Sequence, residues 1–197
     1  MIKSTNGGTS WTTTRVDTSG EMPGCSWATD CYFGFLGPSA AISVDSAGRV
    51  VIAYNAGNSA GAAQRMYTRY STDNGATWSA RQEVSDTNTS VNNGFPALAT
   101  GTSAQDFRLT WQDDRNGPTT AWNTWYRRST NGGATWSNAI RLSDLTSGAP
   151  YKSSGGYLFP YGDYQEIAVD STGRNHFIWG EGANYAGPGG TWYTRGQ

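Results

Sequence analysis

Two carboxylates and a phenol stand close together near the end of the chain. Asp163, Tyr164 and Glu166 follow the run Phe159-Pro160-Tyr161-Gly162 and open a predicted strand. Such groups act as acid, base or nucleophile in enzymes, or bind the hydroxyl groups of a ligand directly. The alternative is a capped strand start with solvated carboxylates. These three residues are the catalytic candidates of the chain.

Further groups suited to ligand binding lie on the long connections between predicted strands. Loops on a rigid scaffold carry function more often than the strands they join. Aromatic rings there offer stacking surfaces for sugars, although many such rings simply pack between strands. The candidate ligand-binding residues are Trp27, Asp30, Asp114, Arg115, Trp122, Tyr161 and Glu181.

Metal and cofactor chemistry has little support in the sequence. The run from Asp113 to Gly117 carries oxygen donors of the kind that Ca²⁺ binds. A charged turn between two strands explains the same residues, and we favour the turn. Two cysteines and one histidine, His176, make a zinc site unexpected. We therefore predict no cofactor.

The composition restricts the class of partner and the compartment. A net charge of −1 gives no electrostatic footprint for nucleic acid, and no apolar run approaches the ~18 residues of a membrane span. Cys25 and Cys31 are expected to form a short disulfide, with two buried free thiols as the alternative. A disulfide indicates an oxidising compartment. We expect a secreted or extracytoplasmic protein, although the sequence shows no signal-peptide pattern.

One motif occurs three times and organises the sequence between its copies. The pattern S-T-x-x-G-x-[TS]-W begins at Ser4, Ser71 and Ser129, so the copies start 67 and 58 residues apart. Recurrence at such distances is typical of repeat architectures. Each copy suits a tight hairpin turn, because its hydroxyls and the Asn or Asp after them can accept hydrogen bonds from turn amides. The glycine supplies a positive φ.

These copies resemble the Asp-box, or BNR repeat, of sialidase-like β-propellers. The family form S-x-D-x-G-x-T-W makes the hairpin between the third and fourth strands of a blade. Asn6 and Asn131 replace the Asp in two copies, and we expect the same turn because Asn keeps the acceptor oxygen. The resemblance covers essentially the whole chain and implies an all-β fold of four-stranded blades.

The sequence around each box fits such a blade. An apolar first strand, a second strand and a third strand containing Tyr-x-Arg recur three times, and no stretch has a helical period. We predict one domain, 1–197, with blades at roughly 37–87, 95–145 and 160–197. Residues 9–18 would supply the fourth strand of the last blade.

Two sets of residues recur once per blade and are predicted to be structural. The arginine of the Tyr-x-Arg pattern is assigned to the same strand position in each blade, and recurrence argues against a substrate clamp. Aromatic residues at equivalent positions of the second strands are predicted to pack between blades. The two sets are Arg69, Arg128 and Arg195, and Tyr54, Trp111 and Trp179.

A sialidase, as the resemblance implies, holds the substrate carboxylate with an arginine cluster and uses a tyrosine–glutamate pair and an aspartate for chemistry. Its first arginine usually lies in an Arg-Ile-Pro motif, and the nearest match here, Gly94-Phe95-Pro96, lacks it. We therefore predict a carbohydrate-binding or non-catalytic sialidase-like module. The alternative is an exo-sialidase or related glycoside hydrolase whose site is completed by a second chain or a further segment.

The number of blades predicts a partner. Propellers close with about 4–8 blades, and the resemblance implies six. Three blades leave strand edges and blade faces open, so we expect two copies to close one ring as a homodimer. The strand at Thr12–Val16 would then complete the last blade of its own chain or of the partner.

Overall fold

Every regular element of the described chain is a β-strand. The structure, a computed structural model, describes residues 1–21, 39–86, 88–117, 121–150, 152–153, 156–160, 165–182 and 189–196. Within these ranges no residue is helical, and no helix is long and apolar enough to cross a membrane. The strands are β1 (Ile2–Lys3), β2 (Thr12–Thr13), β3 (Ala40–Val44), β4 (Val50–Ala56), β5 (Arg65–Ser71), β6 (Gln82–Glu83), β7 (Asn93–Thr100), β8 (Phe107–Asp113), β9 (Ala121–Ser129), β10 (Ile140–Arg141), β11 (Ala149–Pro150), β12 (Lys152–Ser153), β13 (Gly156–Pro160), β14 (Gln165–Val169), β15 (Asn175–Gly182) and β16 (Gly189–Gly196).

Three antiparallel sheets have the predicted blade topology. The first has the order β3-β4-β5-β6, the second β7-β8-β9-β10, and the third β14-β15-β16. We call them the first, second and third blades. β11 pairs with β9 beyond the end of β10, while β12 and β13 form a separate hairpin. Successive strands are neighbours throughout, as in a propeller blade.

Apolar side chains pack between neighbouring blades. Between the first and second blades lie Val51, Met66, Leu109 and Trp111, each fully buried. A second cluster joins the second and third blades through residues that include Tyr126 and Phe177, whose rings meet edge to face at 5.1 Å. The predicted packing aromatics belong to these seams or to a smaller cluster on the first blade, with exposed fractions of 9% for Tyr54, 0% for Trp111 and 4% for Trp179.

The three box turns close with the same hydrogen bonds. Ser71 Oγ and Asp73 Oδ1 each accept the amide of the residue four places further on, at 2.8 Å. Asn6 and Asn131 accept the equivalent amide at 3.0 and 2.9 Å. The Thr77 hydroxyl donates to the Asp73 carboxylate, whereas in the Asn boxes the amide group donates to the hydroxyl. Asn therefore preserves the turn by reversing one hydrogen bond.

The strand register corrects the assignment of the recurring arginines. Arg69 stands two residues before its box serine and Arg128 one, so their side chains emerge on opposite faces of their sheets. Arg195 shares the register position of Arg128. The assignment of all three to one strand position was wrong. Arg69 donates to Tyr54 Oη, and Arg128 binds Asp106 with two hydrogen bonds, so both bind groups of the protein itself.

The N-terminal box forms its own hairpin beside the first blade. β1 pairs with β2, and Lys3 Nζ donates to the carbonyl of Asn74 in the next box at 2.7 Å. Between the first and second blades, Arg49 donates to the Gly132 carbonyl of the next box at the same distance. Both hydrogen bonds run from one unit to the box turn of the next unit along the chain. The N-terminal hairpin therefore lies where the outer half of a preceding blade would lie.

In the described residues, β16 pairs with β15 alone. When the box serine Ser4 is aligned with Gly196 at the end of β16, Ile2–Lys3 fall on Thr194–Arg195. β1 and β16 therefore correspond to the same strand of a blade, and β2 could pair with β16 only if β1 were displaced. Exposed apolar side chains mark both outer blades, with Ile42 57% exposed on the first blade and Tyr193 61% on the third.

We predict that two copies associate through these two outer blades. Burying the apolar faces and free strand edges removes two aggregation hazards. Light scattering at micromolar and nanomolar concentrations should give twice the chain mass of 21.1 kDa. A cooperatively folding monomer at both concentrations would rule out the dimer.

A second prediction concerns the one acidic box. Hydrogen bonds from Thr77 hold the pKa of Asp73 well below its usual range. Asp73→Asn should keep the turn, as Asn6 and Asn131 do, and Asp73→Ala should destabilise the fold. The lowered pKa stabilises the wild type above about pH 4, and this contribution is lost as the pH falls towards the folded-state pKa. Urea unfolding at decreasing pH should show no such loss of stability in the Asn variant. Equal stability of the Ala and Asn variants would refute the role of the side chain.

Candidate functional site

One end of each blade gathers the long connections. β3, β7 and β14 begin where β4, β8 and β15 end, because the strands are antiparallel. The box turns lie at the opposite end of the sheets. We call the first of these the long-loop end, and the inner strands are the first strands of each blade, β3, β7 and β14.

Phe95 links the three blades at the long-loop end. It lies where the register of β7 shifts and has a φ of +56°. The Phe95 amide donates to Ser39 Oγ at 3.0 Å, and its carbonyl accepts a hydrogen bond from the Gln165 side chain. Ser39 precedes β3 and Gln165 opens β14, so the backbone of one residue ties together all three inner strands.

A left-handed phenylalanine needs an explanation. Bulky residues rarely adopt positive φ, and such a conformation costs of order 1–3 kcal/mol. It persists only where the surroundings fix it, and such residues cluster at functional sites. The two hydrogen bonds of the Phe95 backbone supply that constraint here. The strained residue marks the long-loop end as the candidate site.

The Phe95 ring has an aromatic neighbour. Its centroid lies 6.1 Å from that of Trp122 at an interplanar angle of 60°. Trp122 is only 3% exposed, whereas Phe95 is half-buried. Trp122, a predicted ligand residue, therefore supports the ring of Phe95 and presents little surface itself. Sequence reasoning singled out Phe95 only for the arginine missing beside it.

Each packing aromatic donates its polar hydrogen to a carboxylate. Trp111 Nε1 donates to Asp113 at 3.0 Å, and Trp179 Nε1 donates to Glu181 at 2.7 Å. In the first blade, the Tyr54 hydroxyl donates to Asp17 at 2.5 Å. Asp113 and Glu181 both lie two residues after their tryptophan, so strand alternation places ring and carboxylate on the same face.

Arg115 is committed to a buried ion pair. Asp113 is fully buried, and Arg115 Nη2 donates to it at 2.5 Å. Burial raises the pKa of Asp113, although Arg115 opposes that effect. The guanidinium also lies 3.8 Å over the ring of Trp125 and 3.4 Å from Asp86. Arg115, predicted to bind ligand, is therefore occupied by protein groups.

Asp114 is similarly engaged. Its carboxylate accepts the backbone amide of Asn92 at 2.8 Å and the Asn92 side chain at 3.1 Å. With Asp113 paired to Arg115, both carboxylates of this segment are bound by protein groups. In the part of the chain that the structure describes, no three acidic, histidine or cysteine side chains are grouped to hold a metal ion.

The two glutamates among the candidates have different environments. Glu181 is 6% exposed, and burial raises its pKa. Glu166 is exposed, pairs in register with Ile178 on the open face of the third blade, and accepts the amide of Ile167. Glu181 thus lies buried at the long-loop end, whereas Glu166 lies on the exposed face of the third blade.

Seven predicted residues lie outside the described part of the chain. They are the loop candidates Trp27, Asp30 and Tyr161, the catalytic candidates Asp163 and Tyr164, and the cysteines Cys25 and Cys31. Among described residues, sequence reasoning missed Ser39, Asn93 and Gln165, whose side chains all bind backbone groups at the long-loop end. Their positions at the starts of inner strands were the available signal.

The fold is that of the sialidase-like β-propellers. The chain is similar in structure to a Hadza microbial sialidase, Hz136, with a TM-score of 0.54 and 13% identity over 81% of the chain. It is also similar to the α-L-arabinanase of Penicillium chrysogenum, with a TM-score of 0.53 and 13% identity over 85%. For the GH93 α-L-arabinofuranosidase of Fusarium graminearum the values are 0.52 and 15% over 98%.

These similarities define the fold alone. The chain spans 34%, 48% and 52% of the three proteins, about half of their length or less. No protein-family model matches the chain, and no curated protein does.

The two carboxylates that contact Arg115 provide a matched test of the buried pair. Asp113→Ala leaves the Arg115 guanidinium without its buried acceptor, while the Trp111 indole keeps Asn93 Oδ1, so we expect a loss of about 3 kcal/mol in unfolding free energy. Asp86→Ala removes the more exposed partner and should cost below about 1 kcal/mol. Urea denaturation measures both. Equal losses would contradict the distinction.

Proposed function

We propose that the chain is a carbohydrate-binding module of sialidase-like propeller fold, with its binding surface at the long-loop end. The observation that carries the proposal is Phe95, held in a strained conformation by hydrogen bonds to the neighbouring inner strands. A residue fixed in this way presents a rigid aromatic surface, which lowers the entropic cost of binding.

The groups near Phe95 suit the chemistry of sugars. Sugar rings combine apolar C–H faces with hydroxyl groups, so a binding site needs aromatic surface and a few convergent polar groups. The ring of Phe95, packed against the buried Trp122, provides the first. Asn92, just before β7, and Gln165, at the start of β14, provide the second.

The comparisons support the choice of ligand class. The similar Penicillium and Fusarium structures were determined with bound arabinobiose, and Hz136 is a sialidase. These three proteins, each longer than this chain, therefore act on or bind carbohydrates. We extend that ligand class to this chain.

A second candidate function is glycoside hydrolysis, with the site completed by a second chain or a further segment. The observation that favours it is Glu181, a buried carboxyl with a raised pKa at the long-loop end. A general acid needs such a pKa to stay protonated near its working pH. Hydrolysis that Glu181→Gln abolishes without loss of binding would favour this function over binding alone.

The binding function predicts the behaviour of two glycine variants. Phe95→Gly removes the ring and relieves the strain, so it should fold at least as stably as the wild type. Its affinity for arabinobiose should fall at least tenfold, about 1.4 kcal/mol. Gln105→Gly relieves a comparable left-handed residue, φ +67°, on an exposed turn at the box end.

Isothermal titration with arabinobiose, together with thermal unfolding, checks both variants. The Gln105→Gly protein should bind like the wild type. Unchanged affinity of Phe95→Gly would remove the ring from the binding surface.

A further inference from the structure

We infer that the third blade of one copy binds the N-terminal box turn of a second copy, through the same contacts that join the first blade to the second blade within one chain. The N-terminal, second and third boxes are residues 4–11, 71–78 and 129–136. This interface lies at the box end of the blades. It is therefore separate from the carbohydrate site that we propose at the long-loop end.

The first blade covers the third box with the turn between β3 and β4. Arg49 Nε donates to the Gly132 carbonyl at 2.7 Å, and a Cβ added at Gly132 would overlap the Arg49 side chain. Val51, two residues further on, lies against Gly133, where a Cβ would come within 3.1 Å of Val51 Cγ2. Both glycines are buried. Side chains of the first blade therefore occupy the space that these glycines leave open.

A third contact holds the tryptophan that closes this box. Trp136 Nε1 donates to Thr68 Oγ1 on β5 at 3.1 Å, and its ring packs against the apolar seam between the two blades. Three side chains of the first blade thus bind one box turn. We call Arg49, Val51 and Thr68 the box-binding surface.

The second box is covered by similar groups from the N-terminal hairpin. Lys3 Nζ donates to the carbonyl of Asn74, the residue that corresponds to Gly132. A Cβ added at Gly75 would lie 3.3 Å from Met1 Sδ. Both covered boxes therefore receive a cation on the carbonyl of their fourth residue and an apolar side chain on the glycine after it.

The third blade repeats the box-binding surface. Residues 45–49 and 170–174 read DSAGR and DSTGR. In both turns the Asp Oδ1 accepts the amides two and four residues further on. By strand register, three residues of the third blade take the places of Arg49, Val51 and Thr68. In that order they are Arg174, His176 and Tyr193.

This second copy of the surface is open to solvent. Val51 and Thr68 are 0% and 1% exposed, whereas Tyr193 is 61% exposed. Arg174 is exposed, and within the described ranges its guanidinium has no hydrogen bond or ion pair. The third blade therefore presents a box-binding surface without a box.

Side-chain hydrogen bonds fix this open surface in advance. His176 Nε2 lies 3.2 Å from Asp170 Oδ2, and His176 Nδ1 lies 2.9 Å from Tyr193 Oη. Ile178, 45% exposed and directly opposite Tyr193 in the register, adds apolar area beside them. A surface ordered in this way loses little conformational entropy on binding.

The N-terminal box is the matching half. Gly7 has nearly the φ of Gly132, +67° against +70°, yet no atom lies within 4 Å of a Cβ added at Gly7. At Gly8 the atom that comes near is from Trp11 of the same turn. Trp11 itself is 61% exposed. We therefore pair Arg174 with the Gly7 carbonyl, His176 with Gly8 and the Tyr193 hydroxyl with the Trp11 N–H.

A second copy is the occupant because the two halves lie at opposite ends of one chain's blades. The N-terminal hairpin lies beside the first blade, and the second blade separates the first blade from the third. Two copies related by a two-fold axis bring each half to its counterpart twice. β1 stays paired with β2 in this arrangement, so no strand needs to be exchanged.

Substitutions on the two halves test the interface. Arg174→Glu removes the donor to the Gly7 carbonyl, and Trp11→Ala removes the indole. Each should raise the dissociation constant of the dimer by about tenfold or more. Arg49→Ala is the matched control, because this arginine makes the same contact inside one chain. It should lower the free energy of unfolding and leave the dissociation constant unchanged.

Sedimentation velocity over a concentration series measures association, and urea unfolding establishes that each variant folds. A mixture of the Arg174→Glu and Trp11→Ala proteins retains one intact contact in each mixed dimer, so it should associate more tightly than either variant alone. Hydrogen exchange of the wild type adds a test that needs no variant. Amides of residues 7–11 should become protected as the protein concentration rises.

A monomeric wild type, variants that dimerise like the wild type, a mixture no tighter than its components, or unprotected amides at residues 7–11 would each overturn the inference. Arabinobiose affinity is an independent measurement that none of these substitutions should change. Failure of the interface and failure of the proposed carbohydrate site are therefore distinguishable.

Discussion

A buried aromatic side chain with one polar hydrogen is the constraint on which the seams between blades depend. Tyr54, Trp111 and Trp179 occupy the same place on successive second strands, and each must pack against the next element while its O–H or N–H finds an acceptor. A carboxylate fills that need in all three blades. Burying such a ring without the acceptor would cost the desolvation of an unpaired donor.

This constraint explains why carboxylates gather at the long-loop end. In the second and third blades the acceptor is two residues further along the same strand, beyond the ring and towards the connection. Asp113 and Glu181 therefore have a packing function first. Arg115 and Asn92 then satisfy the acidic turn that follows Trp111. The binding surface that we propose comprises Phe95 and the Gln165 side chain that binds its carbonyl.

Much of the fold could be predicted because the box fixes its own local structure. A serine, an Asn or Asp and a glycine at set positions specify one turn, and the three copies fix the order of the blades. The predicted positions of the three arginines were wrong because the Tyr-x-Arg pattern was aligned by its tyrosine. The register follows the box serine, and Tyr67 and Tyr126 stand at different distances from theirs. A shift of one residue moves a side chain to the other face of a sheet.

The candidate site was less predictable, for a physical reason. Local propensity disfavours a left-handed phenylalanine, so only long-range partners such as Ser39, which lies 56 residues away, could reveal that conformation. The burial of Trp122 likewise depends on contacts between distant segments. Sequence patterns report local preference well, and strained residues held by tertiary contacts are where they fail.

The most direct test of the account is to locate the ligand on the protein by NMR chemical-shift mapping during titration with arabinobiose. The account predicts shift changes at the amides of Asn93, Gly94 and Phe95, and at the side chain of Gln165. Changes confined to the box turns, at Asp73 and Asn131, would contradict it.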